Sequence, residues 1–136
     1  MKSNDSNLNL EKEKNNNTPL YILVHLLGIF TGILGALIIY FVTNEQDIKE
    51  HAKNALNWQL SLIVYTIVMI PMIIISTLLI SSEQSITTII GIILISSLFI
   101  LFAILILLDL VFCIIATIKA SENKLWKYPL SFKFLK

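Results

Sequence analysis

Three long apolar blocks dominate this chain, and each is long enough to cross a lipid bilayer. Leu20–Thr43 has His25, Tyr21 and Tyr40 as its only ionisable side chains; Trp58–Ser81 carries no charge; Ile86–Ile118 carries only Asp109. A helix needs about 20 apolar residues to cover a hydrocarbon core about 30 Å thick, and every block meets that length. With 56% hydrophobic and 14% charged residues, the composition excludes a soluble globular domain. The fold class that follows is an all-α integral membrane protein with three transmembrane helices, the second and third forming a long antiparallel hairpin.

The polar segments divide the chain further. Residues 1–19 are rich in Asn, Lys and Glu, too poor in apolar surface to fold, and are expected as a disordered polar tail. Residues 20–120 form the transmembrane helical domain, with a polar lead-in helix over 44–57, and 121–136 form a basic aromatic interfacial tail. The first block exceeds the apolar core of a signal peptide and lacks a small-x-small site before Asn44, so it is expected to stay as an anchor. Thr18-Pro19 marks its helix start. Within it, Gly28, Gly32 and Gly35-Ala36 form a stripe of small residues for helix packing, against the other spans or a second copy.

Thr43-Asn44-Glu45-Gln46 reads as a capping box opening the second helix. That helix extends to about Ser81 with a kink expected near Pro71. After a turn at Ser81–Ser85, the third helix covers Ile86–Ala120. Each of the two is about 52 Å long at 1.5 Å per residue. The alternative is four spans, with the third block broken near Ala103. Lys119, Lys124, Lys127, Lys133 and Lys136 against Glu122 place the C-terminus in the cytoplasm under both arrangements, while the side of the N-terminus stays open. The expected location is the cell membrane.

Asp109 is the one acid deep in an apolar run, where an unpaired carboxyl costs several kcal/mol. Counting across the hairpin places it level with Asn57 and Gln59, so a polar lock between helices is the first expectation and a proton or ion relay the second. In the three-span arrangement His25 lies toward the outer face; in the four-span one it comes close to Asp109. Asp47 and His51 sit one turn apart but make too few ligands for a metal. No nucleophile arrangement, phosphate loop or nucleic-acid motif occurs, so neither enzyme activity nor a cofactor is expected. Cys113 reads as an apolar filler. Candidate contacts to partners or lipid are His51, Lys53, Asn54, Trp126, Lys127 and Tyr128. The tail from Lys124 to Lys136 interleaves aromatics with lysines as an interfacial anchor does.

The run Glu50-His51-Ala52-Lys53-Asn54-Ala55-Leu56-Asn57-Trp58-Gln59 carries a family resemblance. It is joined by His25, Gly28, Gly32, Tyr65, Asp109-Leu110-Val111-Phe112, Ile118-Lys119-Ala120 and the stretch from Tyr128-Pro129-Leu130 to Lys136. On these residues the chain resembles the small bacterial membrane proteins of unknown function grouped with the chloroplast inner-envelope import component. Trp58 stands where many relatives have Phe, and the stretch from Asn57 to Ala120 is longer than in that family. The resemblance implies a link to protein translocation and, from the plastid members, four spans.

The function expected is therefore a non-enzymatic accessory that binds membrane lipids or other membrane proteins. A small oligomeric channel or proton-coupled transporter using Asp109 is the alternative.

Overall fold

In a computed structural model, the described residues are 2–135 for the backbone and 16–135 for side chains. Four helices follow one another, α1 (Lys2–Thr31), α2 (Ile33–Val42), α3 (Gln46–Ile80) and α4 (Ser85–Ser121). No strand occurs among the described residues. The chain divides into two compact units, Ser61–Asp109 and a second made of Met1–Leu60 with Leu110–Lys136.

The unit Ser61–Asp109 is a helical hairpin. Its first arm, 61–80, is about 30 Å long by helical rise. Ser81 and Ser82 amides close the arm on the carbonyls of Thr77 and Leu79, and the Thr88 hydroxyl reaches back to the Ser82 carbonyl at 3.0 Å. The arms come closest at Gly91, where an added Cβ would stand 2.8 Å from the Ser76 carbonyl oxygen and the Ile80 nitrogen. Ser76 beside it is fully buried and returns its hydroxyl to the Met72 carbonyl. Outward, Ile67, Val68, Ile74, Ile93, Phe99 and Ile106 are exposed. Backbone bonded within the helices and an apolar exterior are what a hydrocarbon solvent requires. Both α3 and α4 are long and apolar enough to cross a membrane.

The α3 and α4 bounds match the expected hairpin to within a residue, and α3 continues through Pro71. The break near Ala103 is not present, because α4 runs through it. No turn-forming residue interrupts that stretch, so each residue adds one more helical bond.

The first apolar block departs from expectation. It is not one helix. The chain breaks at Gly32, with φ 57° and ψ −130°, a conformation that only glycine adopts cheaply. The following turn brings Gly35 back against α1, where an added Cβ would lie 2.5 Å from Leu27 Cβ. Thr31 fastens the turn: its hydroxyl donates to the Leu27 carbonyl at 2.8 Å and accepts the Gly35 N–H at 3.0 Å. The three glycines therefore form no stripe on one helix. Gly28 faces Gln59 and Cys113, Gly32 makes the break, and Gly35 packs inside the turn.

Other boundaries also move. The first helix does not start at Pro19, which lies inside α1. The backbone of 2–19, expected as a disordered tail, belongs to that helix, while Met1 and the side chains of 2–15 lie outside the described residues. Leu8 to Lys14 is rich in good helix formers, and extending an existing helix is much easier than nucleating one. Thr43 closes α2 through its amide to the Ile39 carbonyl rather than opening α3. Its hydroxyl accepts the Glu45 N–H at 3.3 Å, and the Glu45 carbonyl accepts the first α3 bond from Lys49. So the capping box is replaced by a short turn.

The rest of this unit packs around that bend. Val24, Ala36, Ala52, Ala55 and Leu56 form one buried cluster, and Tyr21, Ile48 and Ala120 another. At the end of α4, Asn123 takes a left-handed conformation with φ 56°. The Lys124 amide bonds the Lys119 carbonyl, and the Asn123 amide bonds that of Ala120. This is a Schellman ending with Asn in the place glycine usually takes.

Substitutions at the glycines should separate these roles. Gly32→Ala should destabilise by about 1–3 kcal/mol through backbone strain. Gly91→Val should cost a similar ~1–3 kcal/mol through overpacking against backbone atoms. Gly28→Ala, whose Cβ would meet side-chain atoms at 3.5 and 3.6 Å, should be nearly neutral. Reversible unfolding in detergent micelles would read all three, and equal stabilities across the set would refute the assignment.

Candidate functional site

The C-terminal segment after Asn123 is neither helical nor a loose interfacial tail. It is a strap clamped by amides on one face of α3. Asn54 donates through Nδ2 to the Trp126 carbonyl. Asn57 takes the far end: its Oδ1 accepts the Phe134 and Leu135 amides at 3.1 and 2.8 Å, and its Nδ2 donates to the Leu135 carbonyl at 3.1 Å. A side-chain amide offers two N–H donors and a carbonyl acceptor together, matching the N–H and C=O groups of a backbone. Asn54 and Asn57 lie three apart, hence on one helical face.

Between the clamps the strap inserts Tyr128, which is 4% exposed. Its ring stacks on Trp58, with centroids 5.6 Å apart and an interplanar angle of 5°. Phe112 of α4 and Trp126 close the cluster at 5.1 Å from Trp58 and 5.0 Å from Tyr128 respectively. The Tyr128 hydroxyl then meets His25 Nδ1 at 3.0 Å, and His25 Nε2 meets His51 Nδ1 at 3.0 Å. Tyr21 stacks on His51 at 4.5 Å. Tyr21 and His25 are four apart on α1, so both rings reach the same point on α3.

The chain Tyr128–His25–His51 obeys a strict proton count. A neutral imidazole has one donor and one acceptor nitrogen. Either the phenol donates to His25 and His25 donates to His51, or both bonds reverse. The pair of tautomeric arrangements makes this a hydrogen-bonded wire whose direction can invert without any heavy atom moving. Burial favours keeping every member paired, since an unmet polar group costs about 1–3 kcal/mol.

Near the polar end of α3 lies a cavity of about 120 Å³ bordered by Tyr21, Asp47, Glu50, His51, Asn123 and Leu125. Thr18 donates to the Asn123 side chain, and Asn17 to Glu45. No group of three or more His, Cys, Asp or Glu side chains is placed to hold a metal among the described residues. Beyond α4, the hydrogen-bonded Lys119 and Lys124 ammonium groups hold the Glu122 carboxyl below its usual range.

Of the residues singled out from sequence, the structure draws together His25, His51 and Tyr128, and it gives Asn54 and Asn57 to the strap. Gln59 points its amide at the Gly28 carbonyl, 3.5 Å away. Lys53 pairs with Glu50 at 3.7 Å. Lys127 is exposed, and Trp126 and Asp109 are half-buried. His25 does not lie across the membrane from the polar lead-in helix, as the three-span arrangement had it, because it touches that helix at His51. Tyr21 and Phe112 also belong to the cluster, though their sequence context alone does not mark them as site residues. The four-residue spacing of Tyr21 and His25 was the available signal, whereas nothing local pairs His25 with a tyrosine over a hundred positions away.

These features define a class: a helical protein with two membrane-length apolar helices and a buried histidine–aromatic cluster locked by its own C-terminus. The chain belongs to the MamF/MmsF family, described as the magnetosome magnetite crystal formation protein family, which matches residues 15–135. That match corrects the resemblance to import-component relatives suggested by the lead-in helix and tail. The segments that carried the resemblance, up to residue 135, fall within the matched range. Neither the curated proteins nor the solved structures contain a match to this chain.

The strap assignment has a direct test. Asn57→Ala removes partners from three strap hydrogen bonds and should destabilise docking by roughly 2 kcal/mol or more. Hydrogen exchange at the Phe134 and Leu135 amides should rise sharply, while the Gly91 region keeps its protection. Unchanged exchange at both amides would exclude the clamp.

Proposed function

We propose that this chain is a non-enzymatic protein of a mineral-forming membrane compartment, acting in the formation of magnetite crystals. The family match over 15–135 is the observation that carries this reading. The hairpin Ser61–Asp109 would be its anchor. The His25–His51–Tyr128 cluster would hold a folded polar surface at the membrane, to which lipids or other membrane proteins bind. Rigid scaffolding of this kind needs a satisfied buried network, not a reactive one.

The topology proposed is two full crossings, α3 and α4, with the bent block 20–43 as an incomplete third element in place of a third span. A 10-residue α2 is about 15 Å long, half of a hydrocarbon core. The support is the His25–His51 contact, which a straight crossing over 20–43 would break. Lysine placement then favours a cytoplasmic C-terminus. Single cysteines on a Cys113→Ser background should label from opposite sides at 84 and 130, with 50 matching 130. Labelling of 50 and 84 from the same side would rule out the two-crossing arrangement.

Function itself is tested by expressing the chain in a magnetosome-forming bacterium stripped of its own members of the family. Mean crystal size by electron microscopy should change relative to the stripped strain, with the protein located on the magnetosome membrane. Identical crystals despite correct location would sink the reading. Asp109, half-buried in an apolar helix, favours a second one, an oligomeric proton-coupled channel. Liposome flux that is unaffected by Asp109→Asn would eliminate it.

A further inference from the structure

The strap and α3 enclose a second cleft, of about 270 Å³, which shares only Tyr128 with the histidine cluster. Its rim carries Lys53, Lys127 and Lys133, and the only acidic side chain among the described residues that line it is Glu50, already paired with Lys53 at 3.7 Å. Lys127 and Lys133 are exposed, and no acid pairs with either among the described residues. The interior is mixed: Leu125 and Leu135 supply apolar wall, while Asn54 and Asn57 have their amides engaged on the strap backbone. A cleft with uncompensated positive charge and an apolar wall suits an anion attached to a hydrocarbon.

The strap's exposed surface says which anion. Leu130, Phe132 and Phe134 are each about half exposed, and they alternate with Ser131, Lys133 and Leu135. Half-exposed aromatic and aliphatic side chains beside lysines are the composition of the headgroup zone, where rings sit among acyl carbons and ammonium groups reach phosphates. The same unit also exposes Leu23, Phe30, Leu34 and Phe41 on α1 and α2, apolar surface that fits lipid. A free phosphate would satisfy the lysines but leave Phe132 and Phe134 in water.

We infer that the cleft between the polar half of α3 and the C-terminal strap is a binding site for an anionic phospholipid headgroup, its phosphate held by Lys53, Lys127 and Lys133. Lys53, oriented by Glu50, supplies the fixed charge. Lys127 and Lys133, one on each side of Tyr128, close over the phosphate from the strap. The site goes beyond membrane insertion as such, because it discriminates by charge.

Native mass spectrometry of the full chain in detergent, titrated with phosphatidylglycerol or phosphatidylcholine, tests this. Wild type should retain phosphatidylglycerol adducts in preference to phosphatidylcholine. Lys127→Gln with Lys133→Gln should lower phosphatidylglycerol retention about tenfold, given several-fold for each lysine at an anionic surface. Lys119→Gln with Lys124→Gln removes the same charge where Glu122 already engages both lysines, and should leave retention unchanged. Equal retention of the two lipids would overturn the proposal, as would equal losses in both double variants. Displacement of the lipid by millimolar inorganic phosphate alone would overturn it too, in favour of a soluble-phosphate site.

Discussion

The hydrogen-bonded chain from Tyr128 through His25 to His51 is the constraint on which the unit built from the two chain ends depends. It joins the C-terminal strap, α1 and α3 at one buried point, where His25 is bonded to both of the others. His25 is fully buried, so it must find partners on both ring nitrogens or lose the desolvation energy of each. The bend at Gly32, the turn fastened by Thr31 and the amide clamps on the strap all serve to bring these rings to one place. The Tyr21–His51 stack and the buried clusters around Val24 and Ile48 add to the hydrogen-bonded chain in holding α1 beside the polar half of α3.

The hairpin Ser61–Asp109 obeys a different rule. Most of its outward side chains are apolar and need no partner in lipid, and Gly91 lets the arms approach closely at Ser76 and Ile80. Lipid gives helices little hydrophobic reason to associate, so backbone proximity through small residues supplies the packing instead. One unit is thus held by satisfied polarity and aromatic stacking, the other by shape.

The amide-rich stretch from Asn54 to Gln59 stands out in the sequence as polar groups next to grease, and partners within the membrane are the natural guess. Asn57 closes a clamp on the strap at Phe134 and Leu135, and Gln59 reaches the Gly28 carbonyl. The signal that these side chains needed partners was legible. Which partners was not, because amides bond any exposed backbone group and the strap carries no pattern that announces a docking site. The same holds for the family: the segments from His25 onward suggested import-component relatives, whereas the match over 15–135 places the chain in the MamF/MmsF family.

By itself the sequence determined the helical class, the membrane-length arms, their turn at Ser81–Ser85 and the ends of α3 and α4. Those follow from hydropathy and local breakers, which act over a few residues and need no knowledge of the rest of the chain. The tertiary structure alone decided that Leu20–Thr43 folds back at Gly32 rather than crossing straight. Glycine permits the break, and burial of His25 against His51 and Tyr128, together with packing of Ala36 against Val24 and α3, favours it. A glycine in an apolar run is equally compatible with a straight helix, so the choice belongs to contacts that the local sequence does not contain.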